Sequence, residues 1–488
     1  MGTRTETAPT QADTADAAVR HTDVAIIGAG SAGLNARRAA MAEGAAVLLI
    51  DPGPFGTTCA RVGCMPSKLL IAAANHAHAA RTAAEFGVKV GTVTVDGPAV
   101  MARLRRLRDG FVSKTIANST AKIEASGGLI RARARLLTPT RIQLDDGSVV
   151  QAKSVIIATG SRTFVPPPYR DLGDRLLSNE SVFELETLPE RLLVVGAGAI
   201  GLELGQAMTR LGVRTTVLEL QDRIAALQDP KVAAVARQTF AASMDVHFHH
   251  QLTSVEKLEA GVRVRFVDDS CVARDEIYDY VLSAAGRRPA LDGLGLEALG
   301  LAPLPDIDDR TGQVGALPLF LAGDVWAKRT LLHEAAHEGV IAGGNAARFP
   351  DVLPSDRKTG LAVVFSEPQI AIVGRGFDQL DLASTVIGEL DFAMQSRAKV
   401  MGEAHGLLRI YAGRATGMLL GATLIGPAAE HLGHLLAWVV QRGLTADDVL
   451  DLPFYHPTVE EGVQGALRSI SAEVKRASRE QRTSIAAA

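Results

Sequence analysis

The chain has 488 residues, of which 47% are hydrophobic and 22% charged, and its formal net charge is -3. This composition is typical of a folded globular protein and excludes collagen-like, disordered and disulfide-framework classes. At roughly 150 residues per domain, the length predicts about three domains. There is no basic excess to neutralise nucleic-acid phosphates, and no apolar run reaches the ~18 residues of a membrane helix. We therefore expect no nucleic-acid partner and no membrane partner.

Both ends of the chain are polar. Residues 1–22 are rich in Ala, Thr and Asp and lack the apolar stretch of a secretory signal, so they predict a disordered tail. Residues 472–488 predict a second polar tail. The three cysteines are few for this length, which indicates a reducing compartment where structural disulfides are rare. Since nothing points to export, we expect a cytoplasmic protein.

Two copies of one sequence unit organise the chain. The first begins at Asp23 and the second at Arg191, and each predicts a buried strand, a G-x-G-x-x-G loop, a helix and a second strand. Each second strand ends in an acidic residue. The residues are Gly28, Gly30, Gly33 and Asp51 in the first copy, and Gly196, Gly198, Gly201 and Glu219 in the second.

This order and spacing are typical of a dinucleotide-binding unit. The first glycine allows the tight turn, the second lets the backbone approach a pyrophosphate, and the third lets helix and strand pack closely. The acid accepts hydrogen bonds from a ribose diol. Two glycine-rich turns without a ligand are the alternative, which the full match in both copies disfavours. Two such sites suggest two cofactors in relay, a flavin and a nicotinamide.

Cys59 and Cys64 follow the first unit in the segment GTTCARVGCMPSK. Two cysteines without further partner cysteines cannot form a tetrahedral zinc site alone. A redox disulfide is the better interpretation, because thiol–disulfide exchange needs one attacking thiolate and one resolving thiol. Two unconnected buried cysteines are the alternative. Cys271 has no apparent partner and is interpreted as incidental.

From Asp23 to Arg468 the chain resembles the flavoprotein disulfide reductases, the family of dihydrolipoamide dehydrogenase, glutathione reductase and mercuric reductase. The motifs occur in the family's order: two glycine loops, C-x4-C-x-P-S-K, ATGS before Arg162, AGR ending at Arg287, AGD ending at Asp324, and HPT from His456. The resemblance implies an α/β fold with two Rossmann-like dinucleotide-binding domains, for FAD and NAD, and a C-terminal α+β dimerisation domain.

The resemblance also implies domain boundaries. Residues 23–165 would form the FAD-binding domain and residues 166–286 the NAD-binding domain. Residues 287–355 would be a central segment that returns to the FAD domain. Residues 356–471 would form the dimerisation domain, and the two polar tails lie outside these ranges.

Six residues receive catalytic roles from the resemblance. Cys59 would be the interchange thiol that meets the disulfide substrate, and Cys64 the charge-transfer thiol beside the flavin. Lys68 and Glu203 match an ion pair near the flavin, where a fixed cation stabilises developing negative charge. His456 would be the acid/base for Cys59 of the other subunit, and Glu461 would orient its imidazole. A homodimer is therefore implied.

The cofactor residues are assigned in the same way. FAD would be bound by Gly28, Gly30, Gly33, Asp51, Lys68, Thr159, Gly160, Ser161 and Asp324, although the family more often has Glu at the position of Asp51. NAD would be bound by Gly196, Gly198, Gly201, Glu219 and Gly286. No metal is expected.

Three features favour dihydrolipoamide as the substrate and NAD as the acceptor. Glu219 repels the 2'-phosphate of NADP. Ile200 replaces a gating tyrosine of glutathione reductases, and the segment beginning at Leu332 lacks an arginine that those enzymes use. Lipoyl domains of 2-oxo acid dehydrogenase complexes are possible partners.

Other features leave alternatives open. Thr57 replaces a glycine beside the redox pair, Ala60 and Arg61 replace Leu-Asn, and Ser31 and Arg38 match positions where glutathione reductases contact their substrate. An NAD(P)H-dependent disulfide reductase of the glutathione reductase type is therefore the second hypothesis. A flavin-bound redox sensor without turnover is the third.

Overall fold

Strands and helices are both distributed along the described chain, and the strands are numbered in chain order. The computed structural model of the protein describes residues 19–487. The strands are β1 (Val19–Ile27), β2 (Val47–Ile50), β3 (Leu129–Ile130), β4 (Ala134–Thr138), β5 (Arg141–Leu144), β6 (Val149–Ile157), β7 (Ser161–Thr163), β8 (Leu176–Leu177), β9 (Arg191–Val195), β10 (Arg214–Leu218), β11 (Asp245–His247), β12 (Gln251–Leu258), β13 (Gly261–Val267), β14 (Ala273–Tyr278), β15 (Tyr280–Ser283), β16 (Arg287–Pro289), β17 (Leu319–Leu321), β18 (Leu361–Val364), β19 (Gln369–Gly374), β20 (Thr385–Asp391), β21 (Leu407–Gly413) and β22 (Leu419–Gly426).

The α-helices are numbered in the same way. They are α1 (Ser31–Ala42), α2 (Thr58–Val62), α3 (Cys64–Thr82), α4 (Gly97–Asn118), α5 (Thr120–Ala125), α6 (Ala199–Arg210), α7 (Pro230–Ser243), α8 (Leu332–Arg348), α9 (Ser396–Met401), α10 (Ala429–Gln441), α11 (Ala446–Leu450) and α12 (Val463–Ala487). Among these described helices, none combines the length and apolar character that crossing a membrane requires.

Two compact units divide the chain. Unit 1 comprises the described part of Met1–Thr57 together with Lys114–Ser161 and Pro289–Asp356, and unit 2 comprises Thr58–Ser113, Arg162–Arg288 and Arg357 onward. The segment after residue 288 thus returns to the unit that holds the first glycine loop. The segment with the two cysteines groups with the second glycine loop, because α3 packs on α6.

Unit 1 is built on a sheet in which β1 lies between β2 and β6, both parallel to it. Alternate residues of β1 enter two different cores: Val24 and Ile26 face one, and Ala25 and Ile27 the other. This explains the continuous apolar run, since a central parallel strand is buried on both faces. The returning strand β17 pairs in parallel with β6.

Helices α1 and α8 of unit 1 pack unusually closely. A Cβ atom on Gly339 would lie 2.3 Å from the carbonyl oxygen of Ala32, and one on Gly343 would lie 2.2 Å from that of Ala36. Both glycines are therefore required by the contact, because any side chain would force the helices apart. This packing holds α1, the helix after the first glycine loop, against the returning segment.

Unit 2 contains a parallel sheet in the order β11-β10-β9-β15-β8 and an antiparallel sheet of β12, β13 and β14. Its C-terminal part is a five-stranded antiparallel sheet in the order β18-β19-β22-β21-β20. Helix α10 packs on β19 and β22, and α12 packs on β20. The sequence prediction of an α+β C-terminal region describes this part of the chain.

The described residues near both ends of the chain form regular secondary structure, although the sequence predicted polar tails there. Of the predicted N-terminal tail, residues 1–18 lie outside the described residues. Residues 19–22 begin β1, where Val19 pairs with Val149 of β6. At the other end, residues 472–487 continue α12. Their Ala, Arg, Glu and Lys content favours a helix, so polarity here does not imply irregular structure.

Candidate active site

The first glycine loop of unit 1 leaves one side open. Gly28 has φ 112°, and a Cβ on it would lie 2.3 Å from the carbonyl oxygen of Ala158. A Cβ on Gly33 would lie 1.9 Å from the carbonyl oxygen of Gly28, whereas a Cβ on Gly30 would meet no atom within 4 Å. The outer glycines are fixed by packing and the middle one faces open space at the start of α1. This geometry fits a pyrophosphate bound at a helix N-terminus.

The acid at the end of β2 is tied to this loop. Asp51 Oδ2 accepts a hydrogen bond from the Ala29 amide at 2.6 Å, and Oδ1 accepts one from the Gly53 amide at 2.7 Å. The carboxylate therefore braces the loop between the first two glycines. Each carboxylate oxygen has a further lone pair with which to accept from a ribose hydroxyl.

The other predicted FAD residues of unit 1 are joined by hydrogen bonds. Ser161 Oγ donates to Asp324 Oδ2 at 2.8 Å, and Thr159 Oγ1 donates to the carbonyl oxygen of Ala290 at 2.7 Å. Gly160 lies between them with φ 73°. The turn before Asp324 is held by a residue that the sequence did not single out. The amide of Gly323 donates to the buried carboxylate of Glu338 at 2.8 Å.

The second glycine loop, in unit 2, repeats this construction. A Cβ on Gly196 would lie 2.6 Å from the carbonyl oxygen of Ala284, one on Gly201 would lie 1.9 Å from that of Gly196, and one on Gly198 would meet nothing within 4 Å. This loop therefore also fits a pyrophosphate, at the start of α6.

The acid of the second copy is held as in the first. Glu219 Oε2 accepts from the Ala197 amide at 2.9 Å, and Oε1 accepts from the Gln221 amide at 3.0 Å. Gly286 follows β15, the strand beside β9, with φ 113° and open space where a Cβ would lie. The predicted NAD residues thus follow the carboxyl ends of three neighbouring parallel strands, β10, β9 and β15, where such sheets bind ligands.

The two cysteines of the redox motif lie at consecutive helices. Cys59 is half-buried in α2, and Cys64 is exposed as the first residue of α3. Both are free thiols in this structure. Gly63 allows the tight connection, since a Cβ there would lie 3.0 Å from the carbonyl oxygen of Thr58 and 3.1 Å from the Cα of Cys59.

The two sulfurs of this pair are chemically different. The pKa of Cys64 is lowered to about 7, chiefly by the hydrogen bond that the Cys59 thiol donates to it and also by the nearby ammonium of Lys68, while partial desolvation of the sulfur acts in the opposite direction. The same hydrogen bond, together with burial, raises the pKa of Cys59. A position at a helix N-terminus also favours a thiolate. The reduced pair therefore carries its negative charge on Cys64.

Lys68 and Glu203 form the ion pair that the sequence suggested. Lys68 Nζ lies 2.7 Å from Glu203 Oε2, and the Glu203 side chain is 8% exposed. The other carboxylate oxygen accepts from the amide of Phe365 at 2.9 Å. The ring of Phe365 also lies under Lys68, with 4.5 Å between Nζ and the ring centre. Phe365, which no local pattern indicated, therefore fixes both members of the pair.

His456 and Glu461 are also adjacent. His456 Nδ1 lies 2.9 Å from Glu461 Oε2 and 3.1 Å from Oε1. The His456 side chain is 78% exposed, while that of Glu461 is 22% exposed. The carboxylate can fix the tautomer and orientation of the ring, and the exposed imidazole can meet a second molecule.

Thr57, beside the redox pair, and Cys271, in a distant part of the sequence, both have a positive φ. Thr57 has φ 63°, in the left-handed region that β-branched residues rarely adopt. This is the position where the resembled family has glycine, so the backbone turn is retained at the expense of local strain. Cys271 is exposed and also has a positive φ, in the turn before β14.

Comparisons with known proteins place these features in context. Residues 22–339 match the family model "Pyridine nucleotide-disulphide oxidoreductase", and residues 361–467 match its dimerisation domain. The chain is 31% identical over 474 residues to "Dihydrolipoyl dehydrogenase 2" of Haloarcula marismortui, covering 93% of this chain and 97% of that protein. It is 29% identical to the "Dihydrolipoyl dehydrogenase" of Geobacillus stearothermophilus, covering 90% and 94%.

Solved structures show the same fold. LpdA from Mycobacterium tuberculosis matches with a TM-score of 0.76 and 28% identity, covering 92% of this chain and 99% of that one. The HOCl-induced flavoprotein disulfide reductase RclA from Escherichia coli matches with a TM-score of 0.74 and 22% identity, covering 91% and 99%.

Proposed function

Because this chain belongs to the pyridine nucleotide-disulphide oxidoreductase family, we propose that it is an FAD-containing dihydrolipoyl dehydrogenase that reduces NAD. The relatives with this printed name align over nearly their whole length. The observation that carries the proposal is the asymmetric pair of Cys59 and Cys64, with Lys68 and Glu203 beside it. A sensor that registers oxidation once has no use for a second nucleotide loop.

The chemistry at the disulfide is a two-step thiol exchange. One thiolate of dihydrolipoamide attacks the sulfur of Cys59, which breaks the Cys59–Cys64 bond and releases Cys64 as the thiolate. The second substrate thiol then attacks the substrate sulfur of the mixed disulfide, which forms lipoamide and releases Cys59. Two electrons have passed from the substrate to the protein, and the reduced pair retains one proton on Cys59.

Proton movement in these steps is assigned to His456. Its imidazole takes the proton of the first substrate thiol and passes a proton to Cys59 as that sulfur leaves. The proton of the second substrate thiol replaces it on the ring and is then released to solvent, and Glu461 stabilises the charged ring. FAD, when bound, supplies the two-electron carrier between the dithiol and NAD. Lys68 stabilises negative charge at Cys64, where the low pKa keeps the sulfur as the electron-rich thiolate.

The cofactor sites follow the two glycine loops. FAD would be held by the first loop with Asp51, Ser161 and Asp324, and NAD by the second loop with Glu219 and Gly286. The open sides of the middle glycines support both assignments. The carboxylate of Glu219 favours NAD, since the extra phosphate of NADP would meet a like charge.

A homodimer is supported by the match to the dimerisation-domain model. In that dimer we propose that His456 serves Cys59 of the partner subunit, which its exposure in a single chain supports. Lipoyl domains of 2-oxo acid dehydrogenase complexes would present the substrate. The scarcity of cysteines beyond the redox pair supports a cytoplasmic location.

The proposal is tested by NAD reduction with free dihydrolipoamide, using the purified holoenzyme and Cys64→Ser as the control. We expect steady turnover that the substitution abolishes while FAD stays bound. A parallel assay supplies NADPH and glutathione disulfide. Turnover only in that assay would overturn the assignment in favour of a glutathione reductase-type enzyme, and a single oxidation event without turnover would favour a sensor.

A further inference from the structure

A buried asparagine holds the connection between the two redox cysteines. Asn179 follows β8 and is 6% exposed. Its Nδ2 donates to the carbonyl oxygen of Val62 at 2.8 Å. Val62 is the last residue of α2 and lies between Cys59 and Cys64, so this hydrogen bond fixes a backbone atom of the loop that joins them.

The orientation of the asparagine amide is set from its other side. Asn179 Oδ1 accepts from Arg287 Nη1 at 2.8 Å and from Thr163 Oγ1 at 2.8 Å. A guanidinium can only donate, so the side chain oxygen must face Arg287. The amide nitrogen then faces Val62, where the acceptor is a carbonyl. The contact is therefore a hydrogen bond from Asn179 Nδ2 to the carbonyl oxygen of Val62. A side chain of the same shape without an N–H donor could not form it.

Loop geometry matters here because the two sulfurs interact. The tight turn at Gly63 brings α2 and α3 together, and the thiol of Cys59 donates to Cys64 in the reduced pair. A loop that drifted would separate the donor from the acceptor. Cys64 would then lose the contact that contributes most to its acidity.

We propose that Asn179 is a positioning residue for the redox pair, which holds Cys59 and Cys64 in contact through the Val62 carbonyl when the disulfide is open. This role depends on one element of the proposed function, namely that Cys59 and Cys64 are the redox pair. Asn179 touches neither sulfur in this role and acts through the backbone of the loop.

The experiment measures the pH dependence of the midpoint potential of the pair in the holoenzyme, using dithiothreitol redox buffers and thiol labelling. Its slope changes at the pH where the reduced pair loses its first proton. Asn179→Ser replaces the amide with a shorter hydroxyl, whose donor lies too far from the Val62 carbonyl, and adds no charge. We expect this break to move up by about half a pH unit, which is about a threefold fall in the ionisation constant and about a twofold loss of thiolate at pH 7.

Thr163→Val is the matched control, because it removes a contact of Asn179 and leaves the bond to Val62. An unchanged break in the folded Asn179→Ser variant, or an equal shift in the control, would overturn the proposal. If Asn179→Ser does not fold with FAD, Asn179→Asp is measured at low and high salt. The effect of its added charge is screened by salt, and only a salt-independent shift supports the proposal.

These measurements require no turnover of dihydrolipoamide. If the enzyme fails to use that substrate, the break can still be located and still decides the role of Asn179. If the break responds as expected but dihydrolipoamide is inert, the proposed function fails and the positioning role stands.

Discussion

Lys68 Nζ and Glu203 Oε2 lie 2.7 Å apart although the residues are separated by 135 positions in the sequence. The contact joins α3, which begins with Cys64, to α6, which begins at the second glycine loop. The two charges act on Cys64 with opposite signs: Lys68 lowers the pKa of the thiol and Glu203 raises it. The ion pair thus balances the charge near the redox sulfur.

The pH dependence of the redox pair should reveal this balance. Below about pH 7 the reduced pair holds two protons, and above it one, because the pKa of Cys64 is lowered to about 7 while that of Cys59 is raised. For a two-electron couple, the midpoint potential should therefore fall by about 59 mV per pH unit below the break and about 30 mV above it. Potentiometric titration of the holoenzyme would locate the break.

Substitutions of the ion pair should move this break in opposite directions. Lys68→Met should raise it by about one pH unit, because the stabilising cation is lost. Glu203→Gln should lower the break, because the negative charge that raises the pKa of Cys64 is lost. The local geometry is kept, since the glutamine oxygen can still accept from the Phe365 amide and the Phe365 ring still contacts Lys68. Shifts of the same sign in both variants would contradict this electrostatic account.

His456 should matter for thiol chemistry and not for the cofactor. His456→Gln should lower kcat for dihydrolipoamide oxidation by about 10²–10⁴-fold, the usual contribution of general acid–base catalysis. Oxidation of NADH by ferricyanide, which needs no thiol proton, should be retained. Glu461→Gln should cause a smaller loss, and Glu460→Gln is the matched control. Equal losses for the two glutamates would refute the orienting role of Glu461.

Hybrid dimers should show whether His456 acts across the dimer. One chain carries His456→Gln and the other Cys64→Ser, so each homodimer is inactive. If His456 serves the partner subunit, one intact site forms in the hybrid and activity returns to about half of the wild-type value per dimer. An inactive hybrid, purified with two distinct tags, would mean that His456 serves its own chain.

A buried charge network in unit 2 should contribute strongly to stability. Asp229 is fully buried and accepts from Arg409 Nη1 and Tyr411 Oη, each at 2.7 Å. Asp229→Ala should lower the free energy of unfolding by about 3–5 kcal/mol, because Arg409 loses its buried partner. Glu389→Gln, which changes the more exposed partner of Arg409, should cost about 1 kcal/mol or less. Guanidinium titration of both holoenzymes compares them, and equal losses would contradict the argument.

The sequence predicted features whose parts lie close together along the chain. The two glycine loops, their acids and the Cys59–Cys64 spacing are local patterns with a direct physical meaning. The Lys68–Glu203 pair came only from the family resemblance, since no spacing rule joins residues so far apart. The bonds of Phe365 to Glu203 and of Asn179 to Val62 span 162 and 117 positions, and neither residue type is distinctive by itself.

The same limit applies to the boundaries of the fold. The family resemblance implied that the cysteine segment belongs to the first nucleotide domain, residues 23–165. In the structure it groups with unit 2 through the packing of α3 on α6. β1 begins at Val19 because its partner β6 extends that far, which a polar N-terminal composition could not indicate.

The central claim is that electrons from dihydrolipoamide pass through the Cys59–Cys64 pair to NAD. The most direct test treats the oxidised holoenzyme anaerobically with one equivalent of dihydrolipoamide per active site, alkylates the thiols and identifies them by mass spectrometry. We predict new labelling at Cys59 and Cys64 and constant labelling of Cys271, which serves as the internal control. When excess NAD is added after dihydrolipoamide but before the alkylating reagent, the labelling of Cys59 and Cys64 should be lost. Labelling of the pair that is independent of dihydrolipoamide, or that NAD does not reverse, would contradict the account.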